Sequence, residues 1–175
     1  MFRYHPDPVS SGSVHESGEV CACCGVARGY VYAGPVYAED DLEDRICPWC
    51  IADGKAHKKF DATFTSDHSF PDDLPRQVIP EVTRCTPGFS SWQSEQWQVC
   101  CGDAAAYIEP FGYAEVAARM PHLEGPLMMY IVHDLEISGS GATRLLHSLH
   151  RDLGPTAYLF RCLHCGRDLF YIDSL

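Results

Sequence analysis

Hydrophobic and polar positions change rhythm several times along the chain, and each change marks an expected element. Residues 1–19 hold Pro, Ser, Gly and His with little periodicity and read as an extended lead-in, with Ser10-Ser11-Gly12-Ser13 as a loop signal. Val20-Cys21-Ala22-Cys23-Cys24-Gly25 forms a first cysteine knuckle. Residues 29–37 are rich in β-formers and broken by Gly34-Pro35, which predicts two short strands joined at a turn. Ile46-Cys47-Pro48-Trp49-Cys50 is a second knuckle, and residues 51–60 turn helical around Gly54. Pro48 suits such a helix start, where its missing N–H would have no partner anyway. Residues 61–75, polar and carrying Pro71 and Pro75, read as a linker.

In the second half, Thr86-Pro87-Gly88 predicts a turn, and residues 90–97 a helix capped by Ser90 or Ser91. Val99-Cys100-Cys101-Gly102-Asp103 is a second cysteine cluster, followed by a strand over 104–108. Helices are expected over 113–120, stopped by Pro121, over 126–136, with Leu127, Tyr130, Ile131 and Leu135 on one face, and over 142–153, with Leu145, Leu146 and Leu149 inward. The tail, residues 157–172, reads as strand, knuckle, strand. The fold class is therefore α+β, with small zinc-knuckle-organised β elements and several packed helices. We expect an N-terminal zinc-binding unit over 1–70 and a C-terminal α+β unit over 71–175, packed together as one compact domain.

The chain has 175 residues, 46% of them hydrophobic, enough to bury a core without metals or disulfides. Its formal charge is −11, densest in Glu39-Asp40-Asp41-Leu42-Glu43-Asp44. A protein that grips phosphate backbones needs the opposite sign, so nucleic acid is an unlikely partner. An acidic face fits capture of a basic partner; solubility alone is the plainer account of the same residues. The sequence opens without an apolar signal region and carries no run near the ~20 residues of a membrane span. A soluble, cytoplasmic protein is expected.

In a reducing compartment, closely spaced cysteines read as metal ligands before disulfides. Each CxxC supplies one edge of a tetrahedron, so Cys21, Cys24, Cys47 and Cys50 are expected to hold one structural Zn2+, with Cys23 left over. Cys162-Leu163-His164-Cys165 invites a second metal with Cys100 or Cys101, with Cys85 and His164 as further candidates. The adjacent pair Cys100-Cys101 makes an awkward chelate, so the second set is read as Cys101, Cys162, Cys165 and Cys85; buried free thiols are the alternative.

No GxSxG, P-loop, HExxH or GxGxxG occurs. His147 and His150 could share a helix face, although solvated or capping roles are commoner for such residues. Zinc held by four thiolates leaves no open position for water, which favours structure over chemistry.

Several stretches together resemble the CbrC family of bacterial proteins. They are Phe2-Arg3-Tyr4-His5-Pro6-Asp7-Pro8, Gly12-Ser13-Val14, Cys21-x2-Cys24-Gly25, Arg28-Gly29-Tyr30, Gly34-Pro35, Tyr37, Ile46-Cys47-Pro48-Trp49-Cys50-Ile51-Ala52-Asp53-Gly54, Lys59-Phe60-Asp61, Thr86-Pro87-Gly88-Phe89, Trp92-Gln93, Glu95, Trp97, and Tyr158-Leu159-Phe160-Arg161-Cys162-Leu163-His164-Cys165-Gly166. The resemblance implies a role in tolerance of a DNase-type colicin. Family members often carry a further cysteine shortly after the Cys101 equivalent, where this chain has Ala104-Ala105-Ala106; Cys85 is the candidate to compensate. The expected function is a zinc-stabilised protein-interaction factor, an immunity or tolerance protein against a basic toxin domain, with Glu39, Asp40, Asp41, Glu43 and Asp44 in contact. Alternatives are a zinc-ribbon-like nucleic-acid or regulatory module, and a thiol-dependent enzyme acting at Cys100/Cys101.

Overall fold

The computed structural model describes residues 2–173. Its centre is a three-stranded antiparallel sheet, in the order β5 (Ala106–Phe111), β6 (Thr156–Arg161), β7 (Asp168–Asp173). The middle strand explains the arrangement. Side chains alternate across a strand, and in β6 both sets are apolar and buried, so each face must be covered.

On one face, Tyr107, Tyr158, Phe160 and Tyr171 join Phe89 and Trp97 in an aromatic core. Phe89 is its hub: its ring stacks on Tyr107 at 4.4 Å and lies 5.1–5.8 Å from those of Tyr158, Phe160 and Trp97. Helix α3 (Val78–Cys85) closes this core with Val78 and Val82.

On the other face, Ala157, Leu159 and Phe170 meet α4 (Tyr113–Arg119), α5 (Glu124–His133) and α6 (Gly139–Ser148). Leu127, Ile131, Ala142 and Leu146, at helical spacing, supply the apolar seam between α5 and α6. A 3₁₀ turn, Pro121–Leu123, joins α4 to α5 where Pro121 forbids continuation.

The N-terminal third has its own core around the first knuckle. There β1 (Val14–Glu16) pairs antiparallel with β2 (Tyr30–Tyr32), and the second knuckle opens α1 (Pro48–Ala52). Gly54, at φ +65°, breaks the expected 51–60 helix into α1 and α2 (Lys55–Phe60).

Three local expectations are corrected. Tyr30–Tyr32 pairs with residues of the lead-in, and not with residues 35–37; Tyr37 instead bridges Thr63. Residues 61–75 are packed, burying Ala62, Phe64, Phe70 and Leu74. Residues 90–97 form no helix. Glu95 and Trp97 are buried while their neighbours Ser94 and Gln96 are exposed, an extended rhythm imposed by long-range bonds. Glu95 accepts from the Tyr37 hydroxyl and the Ser66 N–H, and Trp97 Nε1 donates to the Ala105 carbonyl.

Candidate metal centres

Two groups of four thiols converge, in each of which all four sulfurs lie within 4.8 Å of one another. The first is Cys21, Cys24, Cys47 and Cys50; the second is Cys100, Cys101, Cys162 and Cys165. A tetrahedron with metal–sulfur bonds of about 2.3 Å has edges of about 3.8 Å. The sulfur separations match: 3.9 Å for Cys21–Cys50 and for Cys24–Cys47, 3.7 Å for Cys100–Cys101 and 3.8 Å for Cys100–Cys165. A disulfide would need about 2.0 Å. Donor type and spacing therefore fit a thiophilic ion held tetrahedrally in each group.

The two centres share a half-site. In each, a CxxCG segment folds so that the first cysteine's N–H donates to the carbonyl five residues on, and the glycine N–H donates back to the first cysteine's carbonyl. The first contact is 3.2 Å for Cys21–Val26 and 2.8 Å for Cys162–Arg167; the second is 2.8 Å for Gly25–Cys21 and 3.1 Å for Gly166–Cys162. Gly25 and Gly166 sit at φ +71° and +72°, where a side chain would be strained. This tight turn brings each pair of sulfurs onto one side.

The partner half-sites differ. Cys47 and Cys50 flank the start of α1, and Lys59 of α2 donates to the carbonyls of Ala22 and Cys23, fastening the helices to the first knuckle. Cys100 and Cys101 instead sit on a hairpin: β3 (Val99–Cys100) and β4 (Asp103–Ala104), joined by Cys101-Gly102, both at positive φ. Such a two-residue turn takes Cys101 out of the strand's alternation and lets adjacent thiols approach. The awkward vicinal chelate is resolved in this way.

Cys100 thus stands where Cys85 was expected. Cys85 ends α3, away from the second group, against Gly54, and burial pushes its thiol up. Cys23 is likewise outside the first group. His147 packs on the Tyr113 ring, and His150 accepts the Asp152 N–H, so they share no ligand position.

In each group the first thiol of the CxxCG turn is favoured as a thiolate, while burial and the neighbouring sulfurs push Cys47, Cys50 and Cys100 up. Burial pushes Cys21 up, but N–H donors, chiefly that of Cys47 at 3.3 Å, outweigh it and bring the thiol down to about 7. The N–H groups of Cys165 and His164 act likewise on Cys162, which falls to about 6. The centres differ in exposure. Cys21, Cys47 and Cys50 are buried, whereas Cys101 and Cys165 face solvent.

One residue not singled out from the sequence organises the second centre. Asp103 is buried, and its carboxylate accepts from Arg3 Nη2 (2.6 Å), the Tyr4 hydroxyl (2.8 Å) and the Ala104 N–H (2.9 Å), and pairs with His164 Nε2 (2.8 Å). Burial would raise it, but these contacts, led by His164 and Tyr4, hold it below the usual carboxylate range. Asp103 thereby ties the lead-in, the hairpin and the last knuckle together. Its signal in the sequence was its place directly after Cys101-Gly102. The five acids of 39–44 are all exposed, with Leu42 between them as a buried anchor.

The profile described as "Uncharacterised protein family (UPF0167)" matches residues 1–174. The chain belongs to this family. The UPF0167 proteins Mb2317 of Mycobacterium bovis and MT2352 of Mycobacterium tuberculosis are each 47% identical to it over 174 residues, covering 99% of this chain and 92% of theirs. The UPF0167 protein PA1536 of Pseudomonas aeruginosa is 39% identical, with 98% and 95% covered. No solved structure matches. This UPF0167 chain has no described helix long and apolar enough to cross a membrane.

Proposed function

We propose that this UPF0167 protein is a cytoplasmic, zinc-stabilised protein-interaction factor whose two centres each hold one Zn2+ as a structural ion. The observation that carries this reading is the donor set. Four thiolates fill a tetrahedral zinc and leave no site for water, so each ion contributes rigidity and no Lewis-acid chemistry. The acidic segment 39–44 is held on either side: the Tyr37–Thr63 bridge precedes it, and after it the Ala22 N–H donates to the Arg45 carbonyl at 2.8 Å, two residues before Cys47. With Leu42 buried, Glu39, Asp40, Asp41, Glu43 and Asp44 project into solvent from a backbone fixed at both ends.

A pre-organised acidic surface favours a basic protein domain, and nuclease toxins are commonly basic because they bind phosphate. The resemblance to CbrC proteins supports the same reading, an immunity or tolerance role.

The test is affinity capture from bacterial extract with the parent protein and a variant neutralised at all five acids to Asn and Gln. A basic protein retained by the parent at low salt, released at high salt and missed by the variant is expected. Identical captured proteins and identical salt dependence for both would overturn the reading.

A further inference from the structure

Away from both metal centres, a cavity of about 300 Å3 opens on the aromatic core. Its wall draws on chain segments far apart in sequence: Ser13 from the lead-in, Ser90 and Trp92 from the stretch before the β3–β4 hairpin, Tyr107 from β5, Arg151 from the loop after α6, and Tyr158 from β6. Convergence of distant segments on one concave, partly aromatic surface is typical of small-molecule sites, and the volume is at the small end of their range.

Two polar groups there are under-used. Tyr107 is 1% exposed, yet among the described residues nothing hydrogen-bonds its phenol oxygen. Its oxygen keeps contact with the cavity, whose wall also holds the buried Ser91 hydroxyl; the Ser91 oxygen has no hydrogen-bond partner among the described residues, and such a group normally has one. Arg151 makes only a 3.5 Å contact with Glu109 Oε2, and Glu109 is already held by Arg119 at 2.5 and 3.2 Å. Its remaining N–H donors are unused among the described residues, and its charge acts on the Tyr107 phenol, opposing the effect of burial there. The one carboxylate on the wall, Asp152, is exposed at the surface, where solvent screens it.

We propose that this cavity binds a small aromatic carboxylate, its ring against Trp92 and the Tyr107–Tyr158 wall and its carboxylate between the Tyr107 hydroxyl and the Arg151 guanidinium. One guanidinium and one phenol match a planar monoanion; a phosphate dianion would ask for more positive charge than the wall carries. The aromatic lining supplies the surface a ring would bury.

The test uses the metal-loaded protein and three probes: benzoate, phenylacetate and indole-3-acetate, with benzamide and inorganic phosphate as controls. At least one carboxylate is expected to shift the Trp92 indole N–H resonance saturably. Tyr107→Phe and Arg151→Gln should each weaken that probe about tenfold. Tyr107→Phe should melt no lower than the parent, because it removes only the orphan hydroxyl. The proposal is overturned if no carboxylate moves the Trp92 signal, if benzamide or phosphate binds as tightly as the best carboxylate, or if both variants bind like the parent.

Discussion

The backbone N–H of Gly88 donates to the hydroxyl of Tyr32 across 3.1 Å, linking the turn before the aromatic hub Phe89 to the strand beside the first metal centre. The same hydroxyl lies 3.0 Å from the Pro35 carbonyl and 3.2 Å from that of Phe64. The approach is so close that a Cβ on Gly88 would sit 1.8 Å from the Phe64 carbonyl oxygen. Gly88→Ala must therefore push backbone against backbone. We expect a loss of roughly 3 kcal/mol or more in urea unfolding. Gly18→Ala, with no neighbour within 4 Å of the added carbon and no left-handed backbone, should be neutral or gain about 0.5 kcal/mol.

Metal content separates the ligands from the bystanders. On the zinc reading, the parent binds two equivalents. Cys47→Ser and Cys100→Ser should each bind one, whereas Cys23→Ser and Cys85→Ser should keep both. Elemental analysis of the purified proteins reads this directly. Loss of zinc from Cys85→Ser with retention by Cys100→Ser would reverse the assignment of the second centre.

Asp103→Asn keeps the shape of the latch but removes the charge that Arg3 and His164 face. Partners outside the ligand shell typically change metal affinity by roughly 10–100-fold. A fall of that order is expected at the second centre alone, measured by competition with a chromophoric chelator. An equal fall at the first centre would mean general unfolding.

His5 gives a pH signature. Its ring is buried between the Pro87 carbonyl (2.7 Å) and the Ser11 hydroxyl (2.6 Å), and burial lowers its pKa from 6.5 to about 4. The unfolded chain thus takes up a proton between those values that the folded chain refuses. The His5 contribution is complete above about pH 6.5 and is lost as pH falls towards 4, for a total of about 3 kcal/mol. His5→Gln should be less stable than the parent at neutral pH, with a gap that narrows on acidification. Because both proteins carry the same thiolates, their difference isolates His5; a gap constant from neutral pH to pH 4 would refute this account.

What could be read from the sequence was whatever is decided locally. The terminal strand–knuckle–strand, α4 and α5 follow from periodicity, Pro121 and the CxxCG turn, because neighbours in sequence are their determinants; α6 was expected over 142–153 and lies about a turn earlier, over Gly139–Ser148. The failures were decided at a distance. Residues 90–97 have helical composition, but the Trp92 indole donates to Thr156 Oγ1 and the Gln93 N–H to Asp173, contacts an extended chain makes. The strand at Tyr30–Tyr32 chose the lead-in because Val14 faces the same small core. In the second cysteine group, the φ of +55° at Cys101 decided the outcome, and spacing alone does not reveal a left-handed residue.

The two centres also impose an order on the newborn chain. All four thiols of the first have been made by residue 50, so its ion can be captured while most of the protein is still to be synthesised. Cys100 and Cys101 must wait for about 60 further residues before Cys162 arrives. At a synthesis rate of about 5–20 residues per second, that interval is roughly 3–12 s. During it, a pair of vicinal thiols has no partner knuckle and stands open to oxidation, so on the zinc reading translation stalled between residues 101 and 162 leaves a chain able to hold metal at one end and chemically vulnerable at the other.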